Sequence, residues 1–242
     1  MNRVLTLARP ACVHRLGDAE RLIEAVTLRI AHAVVNAVDQ RGHAALALSG
    51  GLTPEPVYDR LGLALLPWRQ VAVTLVDEQW VPPVSKHSNQ RLLARSLFAG
   101  PGGCARFLPL WRPAASPECA AEAADLALAR MPWPLDVVLL GMGENGHIAS
   151  LFPGSGVLAH ALDRRTRRRC IAVPPGAAPG GVARLSLTLS AILDARLILL
   201  LIRGEAKRAA LEQAIAGCDP SEMPVRAVLR QRRTPVDVFW AP

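Results

Sequence analysis

The stretch AALALSGGLTP, residues 44–54, decides how the rest of the sequence is interpreted. Its apolar run, Ala44 to Leu48, predicts a buried strand. The Ser-Gly-Gly turn at 49–51 predicts a loop whose backbone can approach a ligand closely, because glycine has no side chain. Thr53 and Pro54 are typical of a helix N-cap and a first helical residue. The segment is therefore predicted to be a strand, a glycine loop and a helix.

The same alternation of apolar runs and helical patterns continues on both sides of this segment. Because strands alternate with helices, we expect an α/β fold in which residues 1–242 form a single domain with a Rossmann-like, mainly parallel sheet and helices on both faces. The further predicted strands are 71–76, 137–140, 170–173, 185–187, 197–202 and 236–239, and the further predicted helices are 18–42, 88–97, 118–130 and 205–216. Asp18 and Gly42 are the predicted ends of the first helix.

Composition narrows the class of protein. With 242 residues, 51% of them hydrophobic, the chain can bury a substantial core. Its C-terminal apolar run, 197–202, is too short to cross a bilayer, and arginines interrupt the N-terminal residues, so neither a membrane span nor an export signal is predicted. The five cysteines are widely spaced and form no C-x-x-C pair. We therefore expect a cytoplasmic protein without a disulfide framework, a metal site or a cofactor.

The net charge of +8 and the arginine run at 164–169 leave two interpretations open. Such a run can attract nucleic acid or an acidic membrane surface, or it can be a solvated loop whose field favours a small anionic substrate. No aromatic residues interrupt the run, and no nucleic-acid-binding motif accompanies it. We expect a small anionic partner rather than nucleic acid or a membrane, and the sequence gives no prediction of oligomeric state.

Candidate functional residues follow three of the predicted strands. Ligands bind at the carboxyl ends of parallel strands, so these loops should converge on one cleft. The first loop, with Ser49, Gly50, Gly51 and Thr53, precedes a helix N-terminus and is suited to a phosphate group. It is neither a Walker loop nor a G-x-G-x-x-G loop, which argues against nucleotide binding there.

The second loop, VDEQWVP at 76–82, places Asp77 and Glu78 at the end of a buried strand. Burial and mutual repulsion are expected to raise the pKa of one of them. The third loop, GMGENGHIASLFPG at 141–154, presents His147 on a glycine-rich turn. A neutral imidazole can take a proton from water near pH 7, and the N–H groups of 141–146 can face a developing oxyanion.

Together these three motifs resemble the 6-phosphogluconolactonases of the pentose phosphate pathway, which are related to the glucosamine-6-phosphate deaminases. The resemblance covers nearly the whole chain, and ARLSLTLSAIL with GEAKRAAL extends it towards the C-terminus. It implies a sugar-phosphate isomerase/CoA-transferase-like fold. It also implies hydrolysis of 6-phospho-D-glucono-1,5-lactone to 6-phospho-D-gluconate, the second step of the oxidative branch, without a metal or cofactor.

The resemblance also implies a role for each candidate residue. His147 is expected to activate water, with Asp77, Glu78 or Asn145 orienting it or binding sugar hydroxyls. The expected substrate-binding residues are Ser49, Gly50, Gly51, Thr53, Asn89, Arg91, Gly143, Arg184 and Lys207.

Two positions depart from the pattern of this family. The family has arginine where this chain has Gln79, and aspartate where it has Asn145. Arg91, Arg184 or Lys207 is expected to replace the missing cation. Asn145 keeps the hydrogen-bonding shape of aspartate without its charge, so the proton transfer falls more heavily on His147.

Two other functions stay open from sequence alone. Deaminase chemistry needs several carboxylates, and the segment after the histidine, 148–153, contains none. A sugar-phosphate-sensing module of a regulator should carry a DNA-binding segment, and the sequence shows no such motif.

Overall fold

The computed structural model describes residues 11–177 and 180–242; residues 1–10, on which the prediction about export partly rests, lie outside the described residues. The strands are β1 (Ala11–Arg15), β2 (Ala44–Leu48), β3 (Val71–Leu75), β4 (Asp77–Gln79), β5 (Arg106–Leu108), β6 (Val137–Leu140), β7 (Cys170–Val173), β8 (Arg184–Leu187), β9 (Ile198–Arg203) and β10 (Val236–Ala241). The α-helices are α1 (Ala19–Arg41), α2 (Glu55–Leu63), α3 (Asn89–Arg95), α4 (Pro117–Leu128), α5 (Leu158–Leu162), α6 (Leu189–Leu193), α7 (Glu205–Ala216) and α8 (Val225–Leu229).

A parallel sheet forms the centre of the molecule. Its strands lie in the order β1-β10-β9-β6-β2-β3-β5, and every neighbouring pair is parallel. All residues of β2, β3 and β6 are buried. Because successive side chains point to opposite faces of a sheet, burial at every position means that both faces are covered. The predicted α/β class, a mainly parallel sheet between helices, is confirmed.

Helix α1 shows how the sequence sets the ends of an element. The Asp18 carboxylate accepts a hydrogen bond from the Arg21 N–H at 2.8 Å, as an N-cap does. Gly42 ends the helix with a φ of 76°, a left-handed conformation that favours glycine. Both predicted ends are confirmed.

Helix α2 begins one residue later than predicted. Pro54 is its N-cap residue, and no side chain caps the helix. The prediction of Thr53 as N-cap is therefore wrong. Residues 52–54 continue the turn of the glycine loop, so Thr53 stays outside the helix and faces the cavity described below.

A second, three-stranded antiparallel sheet was not predicted. Its order is β4-β8-β7, and Gln79 of β4 pairs with Arg184 of β8. Val76 joins the two sheets, since its N–H donates to the Leu48 carbonyl at 2.9 Å and its carbonyl accepts from the Leu187 N–H at 2.8 Å. The small sheet therefore holds residues 77–79 beside the carboxyl end of β2. The edge strands β1 and β5 were also not predicted.

Helix α1 has 23 residues and carries acidic and basic side chains along its exposed face. Among residues 11–177 and 180–242, every helix is too short or too polar to span a bilayer.

Candidate active site

A cavity of about 360 Å³ opens at the carboxyl ends of the central strands. Its walls come from the loops after β2, β3, β6 and β9 and from the start of β8, so the predicted loops do converge. Of the sequence candidates, the lining contains Ser49, Gly50, Gly51, Thr53, Asp77, Asn89, Gly143, His147, Arg184 and Lys207. In the described part of the chain, His, Cys, Asp and Glu side chains form no group of three or more that could hold a metal ion.

The imidazole of His147 is held by Asn145. The two residues are joined by a 2.7 Å hydrogen bond between Nδ1 of His147 and Oδ1 of Asn145. The backbone N–H of His147 donates to the same Oδ1, at 3.2 Å, which fixes that atom as the amide oxygen. Because an amide oxygen only accepts, Nδ1 carries the proton and Nε2 keeps its lone pair.

The protonation of His147 is set by burial and by two cations. Burial, followed by the charges of Lys207 and Arg184, lowers the pKa of His147 to about 4. The imidazole is therefore neutral at pH 7 and able to accept a proton through Nε2.

Gly143 makes room for the imidazole. A side-chain carbon at this position would overlap Nδ1 and Cε1 of His147, so only glycine fits. Its N–H donates to the His147 carbonyl at 2.9 Å, and the Gly146 N–H donates to the Gly143 carbonyl at 3.0 Å. The N–H groups of 141–146 were expected to face an oxyanion. For Gly143 and Gly146 this expectation is wrong, because both N–H groups donate to carbonyls within the loop.

Phe152, which was not among the sequence candidates, connects the histidine to a cation. Its ring centroid lies 4.6 Å from that of His147. The guanidinium carbon of Arg184 lies 5.6 Å from the same centroid. Both polar groups therefore pack on one buried aromatic ring, which limits their movement.

Asp77 lies at the floor of the cavity beside Arg184. Its Oδ2 accepts a hydrogen bond from the Ser150 hydroxyl at 2.6 Å and lies 3.6 Å from Nη1 of Arg184. Burial raises the pKa of Asp77, while Ser150 and Arg184 oppose that rise. The contacts of Asp77 place it against Arg184 and Ser150, whereas His147 is oriented by Asn145.

Glu78 lies outside the cavity lining, which corrects its expected place beside His147. The carboxylate instead accepts hydrogen bonds from the Ser88 hydroxyl and from the N–H groups of Gln79, Asn89 and Gln90, at 2.7–3.0 Å. Burial raises the pKa of Glu78 to about 7, and repulsion from Asp77 is the smallest cause. Glu78 thereby ties the start of α3 to β4.

These hydrogen bonds between Glu78 and α3 position Asn89 at the glycine loop. The Asn89 side-chain N–H donates to the Asp77 carbonyl at 2.9 Å. A side-chain carbon on Gly50 would overlap the Asn89 amide, so the absence of a side chain there permits the contact. The neighbouring Ser49 hydroxyl is buried with no hydrogen-bond partner in the structure, although the Ser49 carbonyl accepts from the Tyr58 hydroxyl at 2.6 Å.

The cations of the cavity differ from the expected set in two ways. Arg91 does not line the cavity; its Nη1 donates to the Val84 carbonyl at 2.8 Å, so it does not replace the missing arginine. Arg203 does line the cavity, together with Gln79, Arg184 and Lys207. Arg203 is the last residue of β9, so the rule that ligands meet strand ends would have found it.

Comparison with known proteins shows the family to which the chain belongs. The family model described as glucosamine-6-phosphate isomerases/6-phosphogluconolactonase matches residues 17–240. The 6-phosphogluconolactonase of Mesorhizobium japonicum is 45% identical, with 93% of each chain covered. That of Rhizobium meliloti is 42% identical, covering 96% of this chain and 99% of the relative.

A solved structure matches over its full length. The crystal structure of a 6-phosphogluconolactonase from Shewanella baltica OS155 superposes with a TM-score of 0.93 at 38% identity, covering 98% of this chain and 100% of the other. The family match, the sequence identity and the superposition each extend over more than nine tenths of the chain. The chain therefore belongs to the glucosamine-6-phosphate isomerase/6-phosphogluconolactonase family.

Proposed function

We propose that this protein hydrolyses 6-phospho-D-glucono-1,5-lactone to 6-phospho-D-gluconate in the oxidative pentose phosphate pathway. The observation that carries the proposal is the neutral His147 imidazole, whose Nδ1–H is donated to Asn145 while it lines a cavity with Arg184 and Lys207. A base beside cations suits attack of water on the carbonyl of an anionic lactone. The relatives described above carry the same activity in their names.

The proposed reaction begins with water held against Nε2 of His147. The imidazole takes one proton as the water oxygen bonds to the lactone carbonyl carbon, and a tetrahedral oxyanion forms. When the bond from this carbon to the ring oxygen breaks, the imidazolium returns the proton to the departing alkoxide. The product is an open-chain carboxylic acid, which ionises in solution. Each water thus supplies one hydroxyl and one proton.

The phosphate of the substrate is assigned to the side of the cavity formed by the glycine loop and the start of α7. The phosphate is proposed to lie near Ser49, Gly50, Gly51 and Thr53, where the unpartnered Ser49 hydroxyl is buried. Lys207, in the first turn of α7, adds a positive charge and a helix N-terminus.

Arg203 and Arg184 extend this positive wall, and Asn89 and Gln79 offer hydrogen bonds to sugar hydroxyls. The charges of Arg184 and Lys207, which already act on His147, are well placed to stabilise the oxyanion.

The assay follows hydrolysis of freshly generated lactone against its spontaneous background. Wild type should turn over rapidly, and His147→Ala should lower kcat by about a hundred- to ten-thousand-fold, the usual contribution of a general base. His160→Ala is the matched control, because this histidine is exposed on α5 away from the cavity. Near-normal turnover in His147→Ala would remove the histidine from this role. Release of ammonia from glucosamine 6-phosphate by wild type would favour the deaminase reaction instead.

Two further assignments accompany the activity. We place the reaction in the cytoplasm, because the structure holds all five cysteines as free thiols, which suits a reducing compartment.

We also assign residues 1–242 to one domain, since a single cluster of buried side chains extends from Leu22 to Ala241. A single cooperative unfolding transition would support one domain, and two separated transitions would contradict it.

A further inference from the structure

A second cavity, separate from the active site, lies where the arginine run passes over α6. It measures about 390 Å³, and its lining shares no residue with the active-site cavity. We call it the arginine groove and define it by Trp133, Thr166, residues 167–169 and Asp194. The proposed reaction makes no use of these residues.

The backbone of the arginine run is fixed by hydrogen bonds. The N–H groups of Arg169 and Cys170 both donate to the Asp125 carboxylate, at 2.5 and 3.1 Å. The Thr188 hydroxyl donates to the Arg168 carbonyl at 2.8 Å, and the Arg168 N–H donates to the Thr166 hydroxyl at 3.3 Å. The guanidinium groups therefore project from an ordered segment, which lowers the entropy lost when a ligand binds.

The charge of the groove is positive. In the part of the chain that the structure describes, no carboxylate lies within 4.0 Å of the guanidinium of Arg167 or Arg169. The Arg169 guanidinium instead lies 4.8 Å from the ring centroid of Trp133. Asp194, the acid of the groove, is paired with Arg233 at 3.3 Å.

Arg168 is partly neutralised by Glu122, at 3.4 Å. Two cations of the groove thus have no carboxylate partner, and one of them is held on an aromatic ring.

We infer that the arginine groove binds a nucleoside polyphosphate. Guanidinium groups match the oxygens of a phosphate chain in geometry as well as charge. The guanidinium of Arg169, which lies over the indole of Trp133, adds a flat surface for a base, and inorganic phosphate would leave that surface unused. A cavity of about 390 Å³ lies within the usual size range for a small-molecule site. A nucleic-acid strand would need an extended track with further aromatic residues, which the run lacks.

The test is isothermal titration calorimetry of the whole protein at low salt, which measures its affinity for ATP, tripolyphosphate and inorganic phosphate. ATP should bind most tightly and inorganic phosphate least. Arg167→Gln and Arg169→Gln should each weaken ATP binding by about tenfold, as expected for loss of one charged hydrogen-bonding partner. The matched control is Arg164→Gln, an exposed arginine of the same run outside the groove, and it should change affinity by less than about twofold.

Circular dichroism of each variant establishes that it is folded. If Arg164→Gln weakened ATP binding as much as the groove variants do, the groove would not be the binding site, because a diffuse positive field would then explain the binding. Displacement of ATP by 6-phosphogluconate would place the nucleotide in the active site instead. Equal affinity for ATP and tripolyphosphate would overturn the nucleoside part. Tighter binding of a single-stranded oligonucleotide, or no binding of ATP to folded wild type, would overturn the inference as a whole.

Discussion

The seven-stranded sheet and the three-stranded sheet meet at Val76, but their strands carry different residues. In the large sheet β2, β3 and β6 are apolar and buried throughout, apart from the Thr74 hydroxyl, which donates to the Leu108 carbonyl at 2.8 Å. In the small sheet β4 consists of Asp77, Glu78 and Gln79, and β8 begins with Arg184. The large sheet therefore supplies a rigid edge, and the small sheet supplies polar groups beside it.

Because the two sheets differ in this way, substitutions in one sheet should affect stability, and substitutions in the other should affect substrate binding as well. A change at a core position of the large sheet should affect mainly the free energy of unfolding, because among the described residues of this sheet only the carboxyl end of β9, residues 201–203, lines the cavity. A change in the small sheet should affect substrate binding as well, since Gln79 and Arg184 are cross-strand partners that both line the cavity. The following predictions test that difference, from the largest expected effect to the smallest.

The largest effect is expected from truncating one fully buried leucine in each sheet. Leu200→Ala in β9 and Leu185→Ala in β8 should each lower the free energy of unfolding by about 2–5 kcal/mol, as cavity-forming substitutions do. Only Leu185→Ala should also raise KM, because it lies between Arg184 and Ser186 in the strand that faces β4. Urea unfolding and steady-state kinetics measure the two effects. An equal rise in KM for Leu200→Ala would show that the two sheets do not differ in their effect on substrate binding.

Glu78 predicts a pH-dependent stability. Its pKa rises from 4.5 to about 7 on folding, so the folded protein binds this proton more tightly than the unfolded chain. Stability from this group is present below pH 4.5 and is lost as the pH rises to 7, by about 3 kcal/mol at most. Thermal unfolding of Glu78→Gln across this pH range should show a smaller decline than wild type. Identical pH dependence in both proteins would contradict the raised pKa.

Ser150→Ala should affect both folding and substrate binding. The variant removes the hydroxyl that donates to Asp77, so the Asp77 carboxylate is less stable and holds Arg184 less well. Loss of a buried hydrogen bond to a charged group should lower the free energy of unfolding by about 1.5–3 kcal/mol, and KM should rise because Arg184 is held less well. Ser155→Ala is the matched control, because the buried Ser155 hydroxyl has no hydrogen-bond partner in the structure. A similar KM in both variants would remove Asp77 from the positioning of Arg184.

The smallest effect at neutral pH is expected from Asn145→Asp. A carboxylate beside Nδ1 favours the charged imidazolium, so the pKa of His147 should rise from about 4 by about one unit or more. Activity at pH 8 should change little, because the imidazole stays neutral there in both proteins. The acid limb of the profile of kcat/KM against pH should move to higher pH. An unmoved limb would show that Asn145 does not contact the titrating group.

The sequence predicted the five inner strands of the large sheet, because apolar runs such as Ala44–Leu48 have few alternatives to burial. It missed the small sheet because a strand of Asp-Glu-Gln has no apolar alternation, and its pairing with residues 184–186 connects segments about a hundred positions apart.

The same distinction holds for the site. His147 and Lys207 were identified from local motifs, whereas the contact of Phe152 with Arg184 and the place of Glu78 under α3 depend on tertiary packing. Arg91 was misplaced for the same reason, since its guanidinium turns back to Val84.

The most direct test of the account is the dependence of kcat/KM on pH for wild-type lactone hydrolysis, corrected for the spontaneous rate. If a neutral His147 held by Asn145 is the base, kcat/KM should stay level from pH 8 down to pH 5 and fall only near pH 4, where the imidazole gains its proton. His147→Ala should lose this limb together with most of the activity. A wild-type limb near pH 6.5, the ordinary range of histidine, would contradict the account, because the base would then lie outside this buried, positively charged site.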